Sequence, residues 1–196
     1  MYINEKQIIL ASESERRKIL LEEVGIDFMV MPSNFDEEKI PVSEPEDYTI
    51  DLSKAKAETV SVNYPDSWII AADTIVIADK EILGKPKSRQ DAFDMIKKLS
   101  GNVHTVYTGY YITSYSEKKS FKGCEKTDVC SKDISEKEII HYLDNGKPYD
   151  KSGGYSLLGP SALFIKSING SYTNVLGLPV CEVMEILIRE RIAVPG

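Results

Sequence analysis

The feature that most constrains the fold is an apolar run that contains a carboxylate. Residues 68–77 are the most apolar stretch of the chain and predict a buried strand, yet Asp73 lies inside them. A carboxylate is costly to bury unless it is paired, hydrogen-bonded or bound to a metal. Asp73 is therefore the strongest indication of chemistry in the sequence. The alternative is an aspartate that caps neighbouring backbone at a strand bulge.

A second constraint is the junction between a short strand and a helix near the N-terminus. The apolar residues 8–11 predict a buried strand, and Ser12 and Ser14 are hydroxyl residues suited to the start of a helix. The first turn of a helix leaves backbone N–H groups unpaired and favours an anion. The pattern Ser12-x-x-Glu15 also has the form of a capping box.

Two arginines in that first turn strengthen the prediction of an anion site. Arg16 and Arg17 oppose the helix dipole, and a bound anion would offset this conflict. A guanidinium can hold two phosphate oxygens at once. The alternative is that both arginines are surface residues paired with Glu13 or Glu22.

The order of helical and strand patterns indicates the fold class. The patterns alternate through the first half of the chain, and strands over residues 103–115 and 120–132 then form a hairpin. We predict a single domain over residues 1–196 of the α/β class. Its mixed twisted sheet is flanked by helices, in two lobes with a substrate cleft between them.

The third quarter of the chain and its end give local predictions. Residues 135–146 predict a helix with a capping box, residues 162–168 a strand, and Asn169-Gly170 a hairpin turn. Residues 172–178 predict an irregular stretch before a closing helix over residues 179–191.

Composition excludes several classes of partner. The net charge of −7 argues against a general nucleic-acid binder or an anionic-membrane binder, whose surfaces are basic. No apolar stretch approaches the roughly 20 residues that span a bilayer, and the first residues lack the layout of a signal peptide. The three cysteines are odd in number and are not paired closely in sequence. We therefore expect reduced thiols and a cytoplasmic protein.

Further charged residues favour phosphate chemistry. An acidic loop with Glu37 follows a predicted strand, although a solvated loop explains it equally well. Lys85 stands between Gly84 and Pro86, which suggests a cation held for phosphate, whereas the pattern alone favours a surface position for Lys56. Cations that hold phosphates and carboxylates that hold a divalent metal together predict a metal-assisted attack on a phosphoanhydride.

Successive segments of the chain resemble, in order, the motifs of the Maf family of nucleoside triphosphate pyrophosphatases. The matching segments are residues 12–21, Asp36-Glu37, Lys56-Ala57-Glu58, residues 72–76, Gly84-Lys85-Pro86, Leu99-Ser100-Gly101 with His104 and Tyr107-Thr108-Gly109, residues 150–155, and residues 174–179. The match extends over nearly the whole chain, and so many ordered motifs make it specific.

The resemblance implies an activity, a cofactor and a site. Members hydrolyse the α–β anhydride of a nucleoside triphosphate to the monophosphate and pyrophosphate with a divalent cation, Mg²⁺ or Mn²⁺, and often form homodimers. Asp73 would be the proton acceptor that activates water, and Glu37 would hold the metal together with Asp73. The resemblance also assigns to substrate binding Ser12, Ser14, Arg16, Arg17, Lys56, Thr74, Lys85, Asp150, Lys151 and Leu158.

Three of these positions relate to base preference. Arg16 and Thr74 resemble the subgroup that acts on dTTP and UTP rather than on 7-methyl-GTP. That subgroup normally has glutamine where this chain has Leu158, which cannot form the hydrogen bonds of an amide. We therefore expect altered base selectivity. Glu15 stands where the family usually has proline, which should slightly loosen the first helical turn.

Two other functions are compatible with a nucleotide pocket. A nucleotide-binding regulatory protein, for instance in cell division, would use the pocket without turnover. A purine-directed pyrophosphatase of the inosine-triphosphate type would need a different base pocket. The combination of Asp73, Glu37 and Lys85 favours the enzyme that removes excess or non-standard pyrimidine nucleotides, because binding alone does not need a carboxylate that activates water.

Overall fold

Residues 2–196, which the computed structural model describes, form an α/β structure with a mixed sheet flanked by helices. The strands are β1 (Tyr2–Asn4), β2 (Ile8–Leu10), β3 (Met29–Val30), β4 (Trp68–Ala78), β5 (Glu81–Leu83), β6 (Val103–Ser114), β7 (Lys119–Ser131), β8 (Ile165–Asn169) and β9 (Ala193–Pro195). The α-helices are α1 (Glu15–Glu23), α2 (Pro45–Ser61), α3 (Arg89–Leu99), α4 (Glu136–Asn145), α5 (Tyr172–Leu176) and α6 (Val180–Arg189). Short 3₁₀ helices cover Glu37–Lys39, Ser152–Gly154 and Pro160–Phe164.

The main sheet has the strand order β3-β2-β4-β6-β7-β8, and β5 pairs with β4. It is mixed because β2 runs parallel to β3 and β4, whereas β5 is antiparallel to β4 and β8 is antiparallel to β7. Strands β1 and β9 form a separate antiparallel pair. The fold class predicted from the sequence is thus confirmed.

Most of the predicted elements are present. The strand predicted around Asp73 is β4, and the two long strands predicted over residues 103–115 and 120–132 are β6 and β7. Helix α4 has the predicted capping box, in which the Ser135 hydroxyl accepts from the Glu138 N–H and the Glu138 carboxylate accepts from the Ser135 N–H.

Four local predictions differ from the structure. Helix α1 begins at Glu15 with Ser14 as its N-cap, so that Ser12-x-x-Glu15 is no capping box. Residues 160–164 form a 3₁₀ helix, and β8 begins only at Ile165. Asn169-Gly170 leads into helix α5 rather than into a second strand, and residues 172–176 are helical rather than irregular. The hydroxyl of Ser171 accepts from the Asn174 N–H and helps to begin α5, a local bond that β-hairpin patterning ignores.

By their internal contacts, the residues divide into two compact units. Unit 1 comprises residues 1–73, 108–125 and 177–196, and unit 2 comprises residues 74–107 and 126–176. The single domain over residues 1–196 and the cleft between its lobes stay predictions.

In unit 1, helix α2 packs on the sheet through small and branched apolar side chains. Ala57 and Val60 of α2 pack in one cluster with Ile69 and Ala71 of β4, and Tyr111 of β6 completes that side of the core. Because side chains alternate along a strand, Asp73 lies on the same face of β4 as Ile69 and Ala71. The packing of α2 therefore covers the face of β4 on which Asp73 lies.

A glycine of β6 permits close approach of α2. A Cβ built on Gly109 would lie 2.3 Å from the carbonyl carbon of Thr49 and 2.5 Å from the amide nitrogen of Ile50. These are rigid backbone atoms of α2, so a side chain at residue 109 would have to push the helix away from the sheet.

We therefore predict that Gly109→Ala lowers the free energy of unfolding by about 2 kcal/mol or more, because overpacking a rigid contact forces backbone shifts. Gly84→Ala is the matched control, since its Cβ would have nothing within 4 Å. Urea unfolding of the two variants measures the difference. Equal stabilities would show that α2 does not depend on this contact.

In unit 2, helices α3 and α4 pack together and cover a second apolar cluster. Ala92 and Ile96 of α3 lie against Ile139 and Tyr142 of α4, and Phe164 fills the space beside them. The N-cap of α3 is Ser88, whose hydroxyl accepts from the Asp91 N–H.

A buried polar pair lies in the remaining core of unit 2. His104 is 1% exposed, and its Nε2 lies 2.6 Å from the hydroxyl oxygen of Tyr155. Burial lowers the pKa of His104 to about 4 and raises the pKa of Tyr155. Both side chains are therefore neutral near pH 7.

The His104 pair predicts a specific loss of stability in acid. Between pH 6.5 and about pH 4 the unfolded chain takes up a proton at residue 104 that the folded chain does not, so stability falls as the pH falls. The contribution reaches at most about 3 kcal/mol. Urea unfolding from pH 7 to 4.5 should show a smaller decline in His104→Gln than in wild type. His141→Gln, at an exposed residue, serves as the control, and parallel declines in all three proteins would contradict the prediction.

Candidate active site

The core of unit 1 contains a buried ion pair between α2 and β4. The Nζ atom of Lys56 lies 2.5 Å from Oδ1 of Asp73, and both residues are less than a tenth exposed. Lys56 precedes Ala57, which packs against the face of β4 that carries Asp73. The pattern-based prediction of a surface position for Lys56 is wrong, because α2 packs down on the sheet at this point. Helix α2 also carries Lys54, which is exposed and pairs with Glu58 one turn along the helix.

A second carboxylate bonds the same ammonium. Oε1 of Glu37 lies 2.7 Å from Nζ of Lys56, although the Glu37 side chain is half exposed. Glu37 begins a 3₁₀ helix whose N-cap is Asp36, and the Asp36 carboxylate accepts from the Glu38 N–H at 3.2 Å. The neighbouring acids Asp36 and Glu38 thus lie at the surface, and Glu37 is the acid of this loop that bonds Lys56. We call Glu37, Lys56 and Asp73 the charged triad.

At the anion site predicted at the start of α1, the side chain of Arg17 is held by hydrogen bonds within the protein. The Nε of Arg17 donates to the carbonyl oxygen of Gly177 at 2.6 Å, and Nη1 donates to the Ser12 hydroxyl at 3.0 Å. The same hydroxyl accepts from the Ser14 N–H at 3.2 Å. Ser12 therefore positions Arg17 instead of closing a capping box with Glu15, and Glu22 pairs with Lys18 rather than with an arginine.

The guanidinium of Arg17 interacts electrostatically with the two carboxylates of the charged triad. Burial lowers the pKa of Arg17, and the carboxylates of Asp73 and Glu37 act in the opposite direction. A guanidinium stays protonated at any physiological pH. Unit 1 thus gathers two basic side chains, Arg17 and Lys56, around two carboxylates.

Two residues of this neighbourhood were not identified from the sequence. Burial, followed by the carboxylates of Asp73 and Glu37, raises the pKa of the Tyr48 phenol, which therefore stays a neutral donor. Tyr48 is two turns before Lys56 on α2, and this spacing puts both on one helix face. The second residue that was not identified is Gly177, whose carbonyl oxygen accepts from Arg17. Its φ of 107° lies in the region that favours glycine.

In unit 2, residues Ser152–Gly154, which we call the glycine loop, lie against Thr74, the first residue of β4 that belongs to this unit. The Ser152 hydroxyl donates to the carbonyl oxygen of Thr74 at 2.9 Å, and the Gly153 N–H donates to the carbonyl oxygen of Gly84 at 3.0 Å. Gly153 has a φ of 71°, in the region that favours glycine. The loop therefore brings the predicted ligands Thr74 and Lys85 into one neighbourhood, and Lys85 is exposed there.

The other predicted ligands of unit 2 differ in exposure. Lys151 is largely buried and bonds both the Lys147 carbonyl oxygen, at 2.6 Å, and the exposed Asp150 carboxylate. Leu158 is 41% exposed, and its N–H donates to the Ser156 hydroxyl at 3.2 Å. An exposed leucine makes little contribution to the core and is available to a ligand.

The donor set of unit 1 fits a divalent cation when phosphate supplies further ligands. Among residues 2–196 there is no group of three or more His, Cys, Asp or Glu side chains that could hold a metal ion. Two carboxylate oxygens, from Asp73 and Glu37, do converge on one cation, the ammonium of Lys56. Mg²⁺ is commonly held by one or two carboxylates together with water and substrate phosphates. Asp73 and Glu37 would be the residues that hold it.

Comparison with known proteins places the chain in a family. A dTTP/UTP pyrophosphatase of Desulfotalea psychrophila is 42% identical over 188 residues, which cover 96% of each chain. A dTTP/UTP pyrophosphatase of Thermoanaerobacter sp. is 44% identical over 94% of this chain and 96% of its own, and one of Geobacillus sp. is 45% identical over 89% and 93%.

The family's characteristic sequence pattern is found here as well. The pattern of the Maf family, described as Maf-like protein, matches residues 7–190, which include the charged triad, the Arg17 junction and the glycine loop of unit 2. No helix in the described part of the chain is long and apolar enough to cross a membrane. With relatives above 40% identity and a match that extends over nearly all its residues, the chain belongs to the Maf family.

Proposed function

We propose that the protein hydrolyses dTTP and UTP to the monophosphate and pyrophosphate. The observation that carries the proposal is the charged triad, in which a carboxylate is buried in an apolar strand and bonded by a lysine. Full-length relatives named dTTP/UTP pyrophosphatase support the choice of substrate. A pure binding protein has no need for a buried carboxylate of this kind, because phosphates are held by cations.

Asp73 has the geometry of a proton acceptor. Lys56 bonds its Oδ1, which leaves Oδ2 as the oxygen that we assign to proton transfer. In the proposed reaction Oδ2 takes a proton from water while the water oxygen bonds to the α-phosphorus. The bond from the α-phosphorus to the bridging oxygen breaks, and pyrophosphate leaves with that oxygen. General-base catalysis of this kind contributes about 10²- to 10⁴-fold in rate.

The cations of the site hold the triphosphate charge. Arg17 presents a guanidinium fixed by Ser12 and Gly177, so little side-chain entropy is lost when it binds an anion. Charge-assisted hydrogen bonds of this type contribute roughly 1.5–3 kcal/mol each. A divalent cation, Mg²⁺ or Mn²⁺, bound to Asp73 and Glu37 would neutralise phosphate charge and orient the α-phosphate. Lys85, Lys151 and Asp150 stay predicted substrate-binding residues of unit 2, and Arg16 and Ser14 those of unit 1.

We predict that Asp73→Asn lowers kcat by about 10²-fold or more, because asparagine accepts no proton, and leaves nucleotide binding intact. Asp79→Asn is the control, since Asp79 lies in the exposed turn after β4 with a φ of 49° that asparagine tolerates. Phosphate release, measured with added inorganic pyrophosphatase across a nucleotide panel, reports turnover, and calorimetry reports binding.

Three outcomes of that experiment contradict the proposal. Activity of Asp73→Asn within about tenfold of wild type removes Asp73 as the proton acceptor. No turnover of any nucleotide by the wild-type protein with Mg²⁺ or Mn²⁺ leaves the nucleotide-binding regulator, and preferential turnover of inosine triphosphate leaves the purine-directed enzyme.

Base selectivity gives a separate prediction. Leu158 replaces the glutamine typical of dTTP/UTP members, so Leu158→Gln should raise the ratio of kcat/KM for UTP over CTP by about tenfold, since a hydrogen-bonding group discriminates more sharply than an apolar one. Leu163→Gln, at another exposed leucine of unit 2, is the control. An unchanged ratio in Leu158→Gln would place Leu158 outside the base pocket.

The cellular location and the oligomeric state are two further parts of this proposal. An enzyme that clears excess or non-standard pyrimidine nucleotides works where nucleotides are made and used, which agrees with the predicted cytoplasmic location. Homodimer formation stays a prediction and is measured by light scattering.

A further inference from the structure

Lys56 occupies the position of a cation between two acids. Its ammonium bonds Oδ1 of Asp73 at 2.5 Å and Oε1 of Glu37 at 2.7 Å. These two oxygens come from different elements, and among the described residues Lys56 is the cation that joins them. The lysine side chain is only 11% exposed, so the ammonium is largely withdrawn from water.

A divalent cation held by the same carboxylates would compete with Lys56. Two like charges at a few ångström repel strongly when the surroundings are partly desolvated. The ammonium has already lost most of its hydration, and it cannot share Oδ1 and Oε1 with a metal without moving. Lysine can move, because four rotatable methylenes separate Nζ from the backbone.

We propose that Lys56 is a resident cation that holds Asp73 and Glu37 together until a divalent metal displaces it. The inference rests on the proposed function in one respect, the placement of the metal at these two acids. Once displaced, the ammonium is a free point charge beside the metal, and a phosphate group is the anion that neutralises it. Metal binding and phosphate binding are then coupled through Lys56, because each favours the position of the lysine that the other requires.

The test is metal binding without nucleotide. Calorimetric or electron paramagnetic resonance titration with Mn²⁺ should give a dissociation constant about tenfold or more lower for Lys56→Met than for wild type. Methionine is unbranched and fills a similar buried volume without charge. Lys54→Met is the matched control, since Lys54 lies on the exposed face of the same helix and pairs with Glu58, and it should bind Mn²⁺ as wild type does. Adding Glu37→Gln to Lys56→Met should abolish the gain.

A measurement on the wild-type protein covers the case in which Lys56→Met folds poorly. An amine-reactive reagent with mass-spectrometric readout should modify Lys56 faster when Mn²⁺ saturates the protein, because the displaced ammonium is exposed. The modification rate of Lys54 should not change. Inorganic tripolyphosphate, added with Mn²⁺, should reduce the rate at Lys56 again.

The outcomes separate the inference from the proposed function. If wild type binds Mn²⁺ and Lys56→Met binds it no more tightly, or if Mn²⁺ leaves the modification rate of Lys56 unchanged, Lys56 does not compete with the metal and the inference is wrong, while the proposed function stands. If neither protein binds Mn²⁺, the metal site of the proposed function is wrong, and the inference fails with it.

Discussion

The structure of unit 1 depends on the need to neutralise one buried carboxylate. Asp73 follows residues 69–72 of β4, which are fully buried, and an isolated charge there would be very costly. Lys56 supplies the counter-charge, and removing one partner of a buried pair typically costs about 3–5 kcal/mol. The position of α2 is therefore constrained twice, by Lys56 reaching Asp73 and by Gly109 of β6, which lets the helix backbone lie close to the sheet.

Local signals in the sequence were sufficient for most of the elements and for Asp73. The apolar run that surrounds Asp73 predicts that β4 is buried on both faces, and the alternation of side chains assigns Asp73 to one of them. Residue type alone indicates that a carboxylate at that position needs a partner. The sequence also places Arg17 in the first turn of α1, because the start of a helix has a recognisable pattern.

The partners themselves depend on tertiary packing, which local patterns do not encode. The helical pattern gives no reason to prefer Lys56 over Lys54, because the choice depends on which face of α2 meets β4. Only the resemblance to the Maf family singled out Lys56. The bond of Arg17 to Gly177 joins parts of the chain that are 160 residues apart, which no local pattern encodes. The bond of Arg17 to Ser12 engages the hydroxyl that the pattern assigned to a capping box.

The charges of the site give a physical reason why the proposed metal and the proposed polyphosphate would bind together. Arg17 and Lys56 carry two positive charges and Asp73 and Glu37 two negative ones, so this cluster is close to neutral in a chain of net charge −7. A neutral cluster has little attraction for a triphosphate. In the proposed mechanism a bound divalent cation would make it positive and would release the ammonium of Lys56, which would then add its charge on the phosphate side. The carboxylates that balance the cluster before binding would thus be the groups that let it attract an anion after the metal binds.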